Sequence, residues 1–220
     1  MKSLFAPHSI ASVWKENPRK RTLDLAVAAL GLVVLSPLFL FLALCIKLDS
    51  SGPVFFRGKR MGRDEKIFFI LKFRTMRADM PEPGMGITVR NDPRVTRVGN
   101  VLRRYKLDEL PQLWNVLRGE MSLVGPRPED PRYLKYYTPA QRVVLSVQPG
   151  ITGVAALAFR HEEALLQGQD WERTYTQVIL PRKLQLELDY MRAQTFWSDL
   201  SIVRTTLWAV FRSEEGQHGL

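Results

Sequence analysis

"LAVAALGLVVLSPLFLFLALCI", residues 25–46, is a run of 22 residues without a charge. As one straight α-helix it would extend about 33 Å, enough for the ~30 Å hydrocarbon core of a bilayer. It starts late for a signal peptide and no small-residue cleavage pattern follows it, so it reads as retained. Ser36-Pro37 lies at its centre. Proline removes a backbone donor and crowds the carbonyl four residues earlier, that of Val33. A kink is predicted there, with Ser36 placed to satisfy freed backbone groups. Each arm would then be about 15 Å long, reaching mid-bilayer and able to return. The flanks bear on the choice. Lys15, Arg19, Lys20 and Arg21 precede the run; Lys47, Arg57, Lys59, Arg60 and Arg63 follow it. Positive charge marks the cytoplasmic side, and here both ends carry it. The residues leave two geometries open: a kinked spanning helix, and a re-entrant hairpin that enters and leaves on one face.

Outward from this run, the chain has 220 residues, 45% hydrophobic, which is enough for one domain with a real core. Its 32 Lys+Arg against 22 Asp+Glu give a formal charge of +10. That balance suits an anionic partner: nucleic acid, anionic lipid or a phosphorylated small molecule. Cys45 is the single cysteine, so no disulfide framework exists, and the three histidines (His8, His161, His218) form no zinc spacing. An oxygen-ligated Mg²⁺ site stays open. Neither a P-loop nor a dinucleotide fingerprint is present, and no nucleic-acid module is recognisable, so nucleic acid is not an expected partner.

Residues 53–59 and 67–76 are aromatic and branched and predict two strands joined by a turn at "RMGRDEK", a small β-hairpin. Residues 79–100, rich in Pro, Gly, Asn and Asp, read as loop. Then comes "LDELPQLWN", 107–115, which sets Asp108 beside Glu109. Pro111 suits the first turn of a helix, and Leu110, Leu113, Trp114 and Leu117 recur on one apolar face. The acids therefore fall at a helix N-terminus, where orphan N–H groups favour anions. Simple capping accounts for an isolated acidic pair. The functional alternative is that one carboxylate attacks phosphorus while the other helps hold Mg²⁺. An ionised carboxylate needs no base for that, but it needs cations to offset repulsion by a phosphate. Lys72 and Arg74 in "LKFRTM", Arg103, and Arg127 locked between Pro126 and Pro128 are the candidates. Singly, each is as well read as a solvated charge. "VQPGITG", 147–153, reads as loop. From about Trp171 to Phe211 the pattern is helical, with aromatic and basic residues interleaved as on an amphipathic interfacial helix or an ordinary core-facing one.

In order and spacing, "KRTLDL", the apolar run with its "SP", "KLDSSGPVFF", "KFRTM", "NDPRVTRVG", "LRRYKLDELPQLWNVLRGEMSLVGPRPE" and "VQPGITG" resemble the bacterial sugar transferase family, the polyprenyl-phosphate phosphoglycosyl transferases of the monotopic type. The resemblance covers about Arg19 to Phe211. It implies an α+β, mainly helical fold with a re-entrant membrane helix kinked at Ser36-Pro37, a small β-hairpin and amphipathic interfacial helices around the active site. It implies a division into a basic N-terminal segment (1–21), the membrane helix (22–48), a cytoplasmic catalytic domain (49–212) and a tail (213–220), in a minimal catalytic form.

The activity it implies is transfer of a sugar-1-phosphate from a nucleotide sugar, UDP-linked, to undecaprenyl phosphate, at the cytoplasmic face of the bacterial inner membrane and among its lipids. Asp108 matches the family's nucleophile and Glu109 its partner acid, with Mg²⁺ as cofactor held by the two. Lys72 matches a catalytic cation; Arg103, Arg127, Arg74, Pro126 and Glu129 match phosphate- and nucleotide-binding positions. "VAALAFRHEEALLQG", after "PGITG", departs from the family pattern around Phe159–Glu163, which leaves the sugar undetermined. The competing expectation is a membrane-attached basic binding protein without catalysis, whose binding would ignore Asp108 and Glu109.

Overall fold

In the computed structural model the apolar run forms two helices rather than one. The structure describes residues 18–79, 92–160, 162–166 and 170–211; the ends of the chain assigned above to the basic segment and tail lie largely outside them. Helix α1 spans Pro18–Val34 and α2 spans Ser36–Asp49, bent by 60° at Leu35. The chemistry of the bend is local. Pro37 has no N–H to give the Val33 carbonyl, and the Ser36 hydroxyl donates to that carbonyl instead, at 2.8 Å. Leu35 and Phe39 still donate to Gly31 and Leu35, so the chain turns without losing its ladder on either side.

One side of this pair packs on the domain. Ala28 is fully buried among Phe68, Ile70, Val116 and Met121, and Leu42 and Ile46 among Phe73 and Leu102. The other side leaves Leu30, Val33, Val34, Leu40, Phe41 and Leu44 exposed around the bend, Leu40 by 75%. Among the described residues no single helix is long and apolar enough to cross a membrane.

Polar pins fix α1 to the domain. Asp24, buried, accepts from the Ser122 hydroxyl at 2.7 Å and from the Leu123 N–H. Arg21 donates to the carbonyls of Val116 and Met121. These contacts give "KRTLDL" a structural meaning: a polar register between the membrane-like helix and the core.

Strands β1 (Phe55–Met61) and β2 (Ile67–Phe73) form the expected antiparallel hairpin, with Phe55 opposite Phe73 and Met61 opposite Ile67. Two neighbouring segments correct the sequence reading. Of the loop expected over 79–100, residues 80–91 lie outside the described ones, and its last part is helical: Thr96 caps helix α3 (Arg97–Arg104) by accepting from the Gly99 N–H at 2.9 Å. Asp49, at the end of α2, accepts from the Val98 N–H, so α2 and α3 are fastened end to start. Helix α4 covers only Gln112–Leu117, with Pro111 at its N-cap. Its most buried side is Gln112, Asn115 and Val116, rotated from the Leu110–Leu113–Trp114–Leu117 face; Leu113 and Leu117 still pack, partly buried, on the same core, and Trp114 is half exposed. Asn115 explains the rotation. Its amide accepts from Leu71 N–H and donates to the Phe69 carbonyl, completing the open edge of β2. A buried amide that satisfies two backbone groups outweighs a short apolar stripe.

A second sheet was not anticipated. β3 (Ser122–Val124) pairs in parallel with β4 (Gly150–Thr152), so "PGITG" is a strand and not a loop. The backbones meet closely: Gly125 N–H donates to Thr152 and Gly150 N–H to Pro126. A Cβ on Gly150 would come within 2.1 Å of Gly125 N, so glycine is required there.

The remaining helices close the domain. They are α5 (Val154–Ala158), α6 (Glu162–Leu165), α7 (Trp171–Thr174), which runs through a π-turn at Tyr175–Ile179 into α8 (Leu180–Ala193), and α9 (Phe196–Phe211). Tyr133, Val144, Leu166, Leu180, Leu184 and Leu188 form the core under α8. Along α9, Phe196, Trp197, Leu200 and Leu207 are exposed while Ile202 is buried, so its aromatic side is not a core face.

The mainly helical architecture with a small antiparallel hairpin stands as expected.

Candidate active site

The acidic pair sits on a 3₁₀ turn, Leu107–Glu109, one turn ahead of α4. Lys106 enters that turn in the left-handed region (φ 54°), a conformation costing a non-glycine residue about 1–2 kcal/mol. The reversal carries the chain from α3 directly into the site and lets both acids turn inward: Asp108 and Glu109 are each buried.

β2 supplies Lys72, whose Nζ lies 2.7 Å from Glu109 Oε1 and 4.0 Å from Asp108 Oδ2. The loop after β3 supplies Arg127, whose Nη2 lies 3.0 Å from the same Glu109 oxygen. Three elements distant in sequence therefore converge on one carboxylate. β2 is held in place for this by Asn115, and the Arg127 loop by the β3–β4 pairing, including Pro126 through its carbonyl.

The two acids are not equivalent. Burial alone would raise Glu109, but Lys72, Arg127 and Lys106 outweigh it and hold the carboxyl well below its usual range. Glu109 in turn raises Arg127, which keeps its proton more firmly. Asp108 shifts the other way: burial pushes it up, against the partial pull of Lys72. Its Oδ1 is buried and has no hydrogen-bond partner. Glu109 is thus a fixed structural anion neutralised by two cations, while Asp108 is a poorly solvated carboxylate with one oxygen unspent. Arg103 and Lys106 add positive field at Asp108. The arrangement can accept an anionic group beside a nucleophilic oxygen.

Two of the expected phosphate-binding residues are placed elsewhere. Arg74 is buried against the end of α2, donating to the Ser50 carbonyl at 2.6 Å, to the Ser50 hydroxyl at 3.0 Å and to the Ile46 carbonyl at 3.4 Å. A cation at a helix C-terminus is favoured by the dipole, and Arg74 acts there as a cap. Glu129 lies behind the Arg127 loop, paired with Lys183 at 2.8 Å and accepting from the Tyr175 hydroxyl at 2.7 Å. It is spent on this internal network. Lys183 also reaches Glu162, at 3.1 Å, so the variant segment Phe159–Glu163 joins this network through Glu162.

Lys106, Asn115, Lys183 and Glu187 were not singled out from sequence. Lys183 and Glu187, four apart on a helix, resemble an ordinary surface pair; only packing buries them.

The fit of Mg²⁺ can be tested on the donors. Among the described residues no three His, Cys, Asp or Glu side chains converge. Mg²⁺ commonly takes one or two carboxylates and completes its shell with waters and substrate phosphates. The unspent Oδ1 of Asp108, beside Glu109, meets that limited demand.

Fold and site together define a class: a mainly helical domain with a bent apolar helix pair and a buried acid–cation cluster. The chain belongs to the bacterial sugar transferase family, whose model matches residues 15–213. It is 42% identical over 199 residues to the undecaprenyl-phosphate glucose phosphotransferase of Komagataeibacter xylinus, covering 86% of this chain and 35% of that protein. It is 42% identical over 192 residues to the UDP-glucose:undecaprenyl-phosphate glucose-1-phosphate transferase of Caulobacter vibrioides, covering 86% and 68%. It is 36% identical over 191 residues to the UDP-N-acetylgalactosamine-undecaprenyl-phosphate N-acetylgalactosaminephosphotransferase of Aeromonas hydrophila, covering 86% and 42%. The chain thus spans less than half the length of the first and third of these relatives.

Proposed function

We propose that this protein transfers a sugar-1-phosphate from a UDP-sugar to undecaprenyl phosphate, by two displacements through Asp108. The observation that carries the reading is the buried Asp108 carboxylate, with Oδ1 unpartnered, set beside Glu109, Lys72 and Arg127. The names of the relatives supply the substrate class. An Asp108 oxygen attacks the sugar-proximal phosphorus. The bond from that phosphorus to the UMP oxygen breaks, and UMP leaves with the electron pair. The phospho-sugar is then held on Asp108 as an acyl phosphate. An oxygen of undecaprenyl phosphate attacks the same phosphorus, the carboxylate leaves, and undecaprenyl-diphosphate-sugar is released.

The chain's residues divide the work. Burial strips water from both acids, and Asp108, which lacks the two close cations of Glu109, is the more reactive carboxylate. Glu109 fixes Lys72 and Arg127 so that their remaining donors face the incoming phosphates, which they orient and neutralise. Asp108 and Glu109 would hold Mg²⁺, whose charge would help neutralise the diphosphate. The bent helix pair enters the bilayer from the cytoplasmic side and returns, since both flanks are basic and the bend is ringed with exposed apolar side chains. Trp197 and Leu200 of α9 suit the adjacent interface. The active site then lies at the cytoplasmic face of the inner membrane, where a soluble donor and a lipid acceptor can meet.

The test is the intact mass of the detergent-solubilised protein with Mg²⁺ and UDP-glucose or UDP-N-acetylgalactosamine, without acceptor. The expected result is UMP release with a mass gain of one hexose- or N-acetylhexosamine-phosphate, absent in Asp108→Asn. Wild-type turnover by Asp108→Asn would overturn the nucleophile. Absence of UMP from every UDP-sugar, even with undecaprenyl phosphate added, would overturn the activity.

A further inference from the structure

Behind the Arg127 loop lies a second buried charge cluster, outside the acid–cation cluster of the site. Its centre is Lys183 of α8, 3% exposed. The ammonium has three protons and meets three acceptors: Glu129 Oε1 at 2.8 Å, Glu162 Oε2 at 3.1 Å and the Tyr175 hydroxyl at 3.4 Å. Tyr175, also buried, donates to Glu129 Oε2 at 2.7 Å. Both oxygens of Glu129 are thereby held from one helical segment. The π-turn makes this possible. Residues eight apart on a regular α-helix point about 80° away from each other. The wider turn at Tyr175–Ile179 takes up that offset and brings Tyr175 and Lys183 to one face.

Only Pro128 separates Glu129 from Arg127. Proline fixes its own φ and restricts the residue before it, so the three residues turn as a stiff piece. Arg127 reaches forward to Glu109 at 3.0 Å, and Glu129 reaches back to Lys183. The Glu129 carbonyl also accepts from the Met61 N–H at the end of β1, at 2.9 Å. A cavity of about 20 Å³, lined by Arg127, Glu129 and Lys183 among others, lies between loop and helix. It has room for one water, and the side-chain bonds of Glu129 bridge that gap. We infer that Lys183 is a positioning residue for the transfer reaction: by gripping Glu129, together with Tyr175, it sets the place of the Arg127 guanidinium beside Glu109. The inference rests on the proposed phosphate-facing role of Arg127. Loss of the ammonium strands a mostly buried carboxylate. The loop then shifts to carry Glu129 toward water or another cation, and Arg127 moves with it.

The experiment uses the full chain in detergent or nanodiscs in four forms: wild type, Lys183→Met, Arg127→Met and the double variant. Initial UMP release from UDP-glucose or UDP-N-acetylgalactosamine with undecaprenyl phosphate gives kcat/KM. Lys183→Met should lower it about 10- to 100-fold, the scale of a small misplacement of a working group. With Arg127 already methionine, the same change should cost less than about 3-fold, because the two act as a unit. An equal loss in both backgrounds, as general loosening of the fold would give, overturns the inference, and so does wild-type kcat/KM in Lys183→Met. Exchange of the Met61 amide, which reports the Glu129 carbonyl, should quicken in Lys183→Met while α1 stays protected. Unchanged exchange at Met61, or equal quickening on α1, overturns the inference, and this readout decides where Arg127→Met is too slow to measure. Should Lys183→Met fail to fold, Tyr175→Phe, which deletes only a hydroxyl, takes its place: a loss that vanishes in Arg127→Met supports the inference, and no loss or an equal one refutes it. If wild type turns over no UDP-sugar, the functional reading fails, while Met61 exchange still tests the grip of Lys183 on the loop.

Discussion

Lys72→Met removes one of the two cations on Glu109 and leaves the other. At 2.7 Å the Coulomb attraction of Lys72 for Glu109 is about 6 kcal/mol at an effective dielectric of about 20. Three features reduce the net effect. Arg127 still holds the same oxygen at 3.0 Å. Lys72 keeps 19% of its side-chain surface in solvent. The burial cost of Lys72 itself also disappears in the variant. Breaking one side of a mostly buried pair then destabilises by about 3 kcal/mol. Glu109→Gln in the Lys72→Met background removes the anion that was stranded, so the double variant should recover about 2 kcal/mol relative to the sum of the singles. The assay is chemical denaturation in detergent at pH 7.5 for wild type, both singles and the double. pH enters with a definite sign. Glu109 is depressed in the folded protein, so its contribution is complete above the unfolded carboxyl value of about 4.3 and is lost as pH falls through the lower, folded one. Lys72→Met relaxes the depression, so its acid-side loss should be smaller and end at a higher pH than in wild type. Additivity of the two singles within about 0.5 kcal/mol would refute the idea that Glu109 is held as one unit with Lys72.

Asp108→Asn should abolish turnover without loss of stability. Asp108 is raised by burial, so its ionised form weakens the fold progressively as pH climbs from about 3.9 through the folded value, and the amide lacks that penalty. A melting temperature at pH 7.5 equal to wild type or about 2–4 °C higher is expected, and a clear fall would count against it. Pro37→Ala restores the missing N–H to the Val33 carbonyl and should straighten the bend. In a Cys45→Ser background, single cysteines at positions 22 and 51 should react from the same side of a vesicle with Pro37 present; reaction from opposite sides would refute the re-entrant geometry. Gly150→Ala should prevent folding of the β3–β4 pair and abolish activity, because its Cβ meets backbone at 2.1 Å, whereas Gly31→Ala meets only the Leu113 side chain at 3.1 Å and should be mild. Comparable expression and melting of the two would show the glycine argument to be wrong.

The sequence by itself determined what depends on neighbours along the chain. The bend at Ser36-Pro37 needs only a proline that withholds a donor and a serine that replaces it. The hairpin follows from two aromatic, branched runs around a turn, and the closeness of Asp108 to Glu109 is covalent. Lys72 was legible as a candidate through the resemblance of "KFRTM", and Arg127 through the two prolines that flank it. The tertiary structure decided which candidate was which. Arg74 stands two residues from Lys72 with the same charge, yet one caps α2 and the other meets Glu109, a distinction made by where the strand leaves its sheet. Glu129 and Arg127 lie two apart in the same motif, and one turns to Lys183 while the other turns to the acids. The parallel β3–β4 pair joins residues more than 25 apart through backbone alone, so no side-chain pattern announces it. The opposite shifts of Asp108 and Glu109, two equally buried side chains, arise from unequal cation distances. Covalent order sets a residue's identity and its local turn; desolvation and charge pairing, which assign its chemistry, exist only once distant segments share the same few ångströms.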